Sequence, residues 1–261
     1  MINFSYLKQT ARSNLKFLLA FTAVLCVFVT IMTNVFTPAV MEETQSGIEG
    51  TVLANILTGN GTLIGFMSNS FYALMAILFP MVYSIMVGNR LIAEKIDKGY
   101  MADFLSTPVT RAQIAASGAF YLTVSLIIMW GTVSCIGIAA AERFQPGALD
   151  VDKFLLLNTG VFLYHFAISG ICFFASSLFN TSRNSLLLGA GLPLYFFVMS
   201  LIIKLSDSLD YLKYFTLNTL FDTEKILEDN GFEADFAVLG ALAMILYGTG
   251  IIIFCRRDLP L

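Results

Sequence analysis

Of the 261 residues, 57% are hydrophobic and only 13% are charged, and the mean hydropathy is +0.78. A soluble domain carries about 25% charged residues, so this composition excludes an ordinary water-soluble fold. The net charge of −3 is unremarkable in size, and what matters is where charge is missing.

Asp, Glu, Lys and Arg are absent from Phe17–Met41, Gly50–Asn89, Ala112–Ala141, Phe154–Ser182, Asn184–Ile203 and Phe236–Cys255. Each run can hold a helix of about 20 residues, enough to cross about 30 Å of hydrocarbon. Lipid offers backbone amides no partner, and barrel-like alternation is absent, so the runs predict helices.

In chain order, residues 1–16 set Phe4, Leu7, Ala11 and Leu15 on one stripe beside Lys8, Arg12 and Lys16, the pattern of an interfacial helix. The apolar run that follows predicts a first span over 17–40, too long for the core of a secretory signal. Gly50–Asn69 holds Gly50, Gly59, Asn60, Gly61, Gly65 and Asn69 and predicts a loop or a surface segment. Asn60-Gly61-Thr62 fits a glycosylation sequon, a pattern too common to weigh. The second span is predicted over 70–92 and the third over 112–140. The fourth is placed over 154–178, the fifth over 185–204 and the sixth over 236–255. The chain reads as one membrane domain over 1–261.

Placing both ends inside the cell puts ten of the fifteen basic residues on the inner side and fourteen of the eighteen acids on the outer side. Segment Ser206–Asp235 contributes eight of those acids, and its clusters Tyr211-Leu212, Phe215 and Leu220-Phe221 predict short outer helices.

Several chemistries have no residues to carry them. Neither G-x-x-x-x-G-K-[ST] nor H-E-x-x-H nor C-x-x-C occurs. Cys26, Cys135, Cys172 and Cys255 lie in apolar runs without paired spacing, so neither a disulfide nor a metal site is expected. Glu42-Glu43 would need a second histidine to resemble an intramembrane protease, and His165 is the sole histidine. His165 has two readings: a structural histidine satisfied by a neighbouring helix, or the titratable group of a gradient-driven carrier. Nucleic acid is not an expected partner.

The patterned connection is Arg90–Gln113. Tyr100, Met101, Phe104 and Leu105 fall on one face of a short helix, with Asp97, Lys98 and Asp103 elsewhere. Gly99 allows a sharp turn, Pro108 stops the helix, and Thr110 with Gln113 has capping-box spacing. The apolar face either lies on the inner leaflet and the protein's own helix ends, or enters a groove of a soluble partner.

Glu94-Lys95-x-x-x-Gly99 and Leu105-Ser106-Thr107-Pro108-Val109-Thr110-Arg111 resemble the signature loop of ABC transporter permeases of the type-2 exporter family. Phe254-Cys255-Arg256-Arg257-Asp258-Leu259 resembles that family's ending, and Tyr100 departs from the smaller or polar residue often found after the glycine. The resemblance implies an all-α integral membrane protein of six spans, with an N-terminal interfacial helix. A cytoplasmic coupling helix, Asp97–Leu105, would join spans two and three. It further implies that Glu94, Asp97, Gly99, Tyr100, Met101, Phe104, Leu105 and Pro108 shape or form the contact with a separate ATPase subunit. That partner would hold the ATP and Mg, leaving this chain without cofactor or catalysis. A second permease copy or paralogue, surrounding lipid and a prokaryotic cell membrane complete the expectation. A scaffold or sensor that docks a different soluble partner is the other reading of the same loop.

Overall fold

The computed structural model describes residues 2–35, 62–106, 108–203 and 216–258, and the described residues are helical, with no strand among them. Six helices are long and apolar enough to cross a membrane. The first is α1 (Phe4–Val35). The second, α2 (Leu63–Leu91), is α-helical at both ends and widens into a π-helix over Ser68–Met75. Two short helices follow, α3 (Ala93–Asp97) and α4 (Tyr100–Leu105). Then come α5 (Arg111–Phe144) and α6 (Val151–Leu178). The fifth span is a pair of helices, α7 (Ser182–Gly189) and α8 (Gly191–Ile203). A 3₁₀ turn at Leu217–Leu220, α9 (Thr223–Leu227) and the sixth span, α10 (Phe232–Arg256), complete the chain.

Two boundaries differ from the sequence reading by more than about four residues. The second span begins at Leu63 rather than 70, with Gly65 and Asn69 inside the helix. Thr62 caps it, its hydroxyl accepting from the Gly65 N–H at 3.2 Å, and Leu63 and Met67 are buried. Tertiary burial here outweighs the poor propensity of glycine and asparagine. The Gly50–Gly61 part of the expected loop lies outside the described residues, as do Glu42-Glu43 and Tyr211–Phe215.

The stretch expected as a separate interfacial helix runs without a break at Lys16 into the first span. Its buried face is also not the apolar stripe. Tyr6, Thr10 and Asn14 turn inward, while Phe4 is 77% exposed.

Helix α6 is the hub, packing against α2, α5, α7 and α10, while α1 packs on α5 and α2. The α2–α6 contact requires Gly88, where a Cβ would stand 2.8 Å from the Cys172 Cβ. Such small-residue contacts are how membrane helices gain close packing without a hydrophobic driving force. Asn3 and Arg257 lie at one end of the bundle. The Asn3 N–H donates to the Ser117 hydroxyl near the start of α5, and Arg111 Nη1 donates to the Arg257 carbonyl.

Candidate functional site

The α2–α5 connection starts where Ile92, at φ −130° and ψ −66°, breaks the helix. The break is supported from α6: the freed Ala93 N–H donates to the Ser176 hydroxyl at 2.9 Å. After α3, Gly99 turns the chain at φ +77°, a left-handed conformation that glycine adopts without steric cost. Helix α4 ends at Leu105. The Thr110 hydroxyl then accepts the Gln113 N–H at 3.3 Å, while Gln113 Oε1 accepts the Thr110 N–H at 3.0 Å. The capping box read from spacing is therefore present, and it launches α5.

Asp97 closes α3 rather than opening α4, so the expected coupling helix is two short helices hinged at Gly99. Its four apolar residues do not share one exposed face. Met101 is fully buried, Phe104 and Leu105 are half-buried, and Tyr100 is 55% exposed. Six residues place too few turns to present a flat stripe, and the platform beneath takes up three of the four. Asp103 and Pro108 are exposed, and Pro108 and Asp103 border a cleft of about 750 Å³ against Asn3, Tyr6 and Gln9 of α1.

Charge holds the loop together. Glu94 lies between Lys98, at 2.6 Å, and Arg90, at 3.7 Å. Asp97 Oδ2 accepts the Ser182 N–H at 3.2 Å, which caps α7 where its own Thr181 side chain makes no cap. Lys95 Nζ donates to the Tyr6 hydroxyl at 2.7 Å and lies 4.5 and 5.1 Å from the ring centroids of Tyr6 and Phe104. The two rings meet edge to face at 5.3 Å. Burial, and then the neighbouring charge of Arg90, lower the Lys95 pKa from 10.5 to about 8, with Glu94 opposing. The loop is thus tied to α1 through Lys95 and Phe104, to α6 through Ala93, and to α7 through Asp97. No metal-ligating cluster occurs among the described residues.

The model of the ABC-2 family transporter proteins matches residues 8–259 of the chain. This chain belongs to that family. It is accordingly a multi-span membrane component of an ABC-type transporter. No curated protein and no solved structure matches the chain.

In this ABC-2 family protein, Tyr6 is the site residue that sequence reasoning missed. It lies 89 positions before Lys95, and the one available signal was the row Tyr6, Thr10, Asn14 at helical spacing. His165, the other candidate, is fully buried in α6, with Nδ1 2.7 Å from the Val161 carbonyl oxygen and Nε2 3.0 Å from that of Ile77. A neutral imidazole donates to only one of them. Among the described residues no carboxylate joins the pair, and Trp130 and Tyr164 flank the ring.

At the opposite end of the bundle, a cavity of about 400 Å³ lies between Tyr72 of α2, Ser200 of α8 and the Thr216–Lys225 segment. Part of its polar lining is bonded together. Tyr164 donates to Asn218 Oδ1 at 2.8 Å, and Asn218 Nδ2 donates to the Ser200 hydroxyl at 3.0 Å.

Proposed function

We propose that this chain is the permease subunit of an ATP-driven exporter in a prokaryotic cell membrane. Two such six-span subunits, identical or paralogous, form the path, and a separate ATPase supplies ATP, Mg and hydrolysis. The termini and the α2–α5 loop face the cytoplasm, since ten of the fifteen basic residues fall on that side. Closure of the ATPase dimer pushes on α4, and the spans shift between two packings as rigid bodies.

One observation carries this reading. A short helix presents exposed Tyr100 outward while Lys95, Met101 and Phe104 root it in α1 and the core, and Asp97 roots it in α7. Force applied to Tyr100 therefore reaches more than one span.

The test is Tyr100→Asp, made beside Phe104→Asp, in protein co-expressed with its ATPase. Tyr100→Asp should leave thermal stability and elution volume unchanged while ATPase co-purification and transport fall. Wild-type co-purification and transport in both variants would overturn the coupling role.

A further inference from the structure

We infer that the outward face of α1 binds the anionic headgroups of membrane lipid at the end of the bundle that carries Asn3 and Arg257. Lys8, Arg12 and Lys16 recur at intervals of four and form one exposed row, opposite the buried row of Tyr6, Thr10 and Asn14. Among the described residues none forms an ion pair with them. The first 41 residues contain no Asp or Glu at all, so the row has no acid of its own helix to answer it.

The depth of the row follows from its neighbours. The Arg90 guanidinium lies 4.8 Å from the Phe17 ring, and Lys95 reaches Tyr6. Residues 6–17 of α1 are therefore level with residues 90–95, where the charge-free run of α2 ends. That is the edge of the hydrocarbon. Lys8 and Lys16 are about 12 Å apart along the axis, and their long stems allow all three cations to reach a headgroup layer of about 5–7 Å.

The same face says which partner fits. Beyond the basic row it continues as Leu19, Ala23, Val27 and Ile31, all exposed. A lipid has both halves of the match: acyl chains along the apolar row and a phosphate at its basic end. A soluble protein could meet only the basic end. Each basic residue near an anionic surface contributes about a five-fold increase in partition at moderate salt.

The experiment uses the full-length protein purified in detergent and titrated with phosphatidylglycerol or phosphatidylcholine, with bound lipid counted by native mass spectrometry. Wild type should retain phosphatidylglycerol preferentially, and added salt should erase the preference, a measurement that needs no variant. Lys8→Gln, Arg12→Gln and Lys16→Gln together should abolish it, by about five-fold per charge, while Lys8→Arg, Arg12→Lys and Lys16→Arg together should keep it. Equal binding of the two lipids by wild type, or unchanged preference in the glutamine triple variant, would overturn the assignment. So would a changed oligomeric state at unchanged lipid binding, which would give the face to a second copy. Tyr100→Asp should bind lipid normally, so failure here is separable from failure of the coupling role.

Discussion

Lys95 of α3 donates a hydrogen bond to the hydroxyl of Tyr6 in α1 at 2.7 Å, between residues 89 positions apart. The same ammonium lies against the ring of Phe104, so one side chain joins the two halves of the loop to the first span. A cation over aromatic faces, withdrawn from water, contributes about 1–2 kcal/mol. Removing the Tyr6 hydroxyl in Tyr6→Phe should therefore lower the thermal midpoint, and by less when Lys95 is already Met, with a coupling of about 1 kcal/mol. Additive losses would show that the contact is incidental.

The charge of Lys95 also predicts a pH dependence. Its pKa is about 8 in the folded protein against 10.5 when freely solvated. Between those values the unfolded chain binds the extra proton, so stability contributed by this group rises with pH from about 8 to about 10.5. Below that window the cost of burying the charged form is fully present. Midpoints measured for wild type minus Lys95→Met should climb across the window; a flat difference would contradict the burial of the ammonium.

Asp97 links the loop to the fifth span by capping α7 at Ser182. Asp97→Ala should lower stability by about 1 kcal/mol, the usual worth of a cap, and Asp97→Asn should restore most of it. Equal losses in both variants would mean that charge, and not the cap, is what counts.

Gly88 sets the distance between α2 and α6. Gly88→Ala should cost about 1–3 kcal/mol by overpacking against Cys172, and Cys172→Gly should recover part of that loss. Midpoints in detergent for the four combinations test it, and strict additivity would refute the contact.

His165 separates a structural role from a proton-carrying one. His165→Ala removes a buried ring and a hydrogen bond, so a loss of about 2–4 kcal/mol is expected, with ATP-driven transport persisting in whatever protein remains folded. A gradient-driven carrier would lose transport even in the protein that remains folded.

The spacing of charge by itself determined the class of this protein and the number of its spans. Carrying an ion into hydrocarbon is so costly that uninterrupted apolar runs such as Phe236–Cys255 have one stable home. Local chemistry was equally legible where it acts within a few residues. The Thr110–Gln113 capping box and the turn at Gly99 depend only on their own backbone. The tertiary structure alone decided which faces are spent on packing. Leu63–Asn69 becomes helix because α2 is buried there, and Met101 is drawn inside while Tyr100 is left out. Tyr6 meets Lys95, and Asp97 meets Ser182, only once α1, α2 and α6 have packed. These contacts join residues more than eighty positions apart, and periodicity along one segment carries no information about which distant segment will cover it.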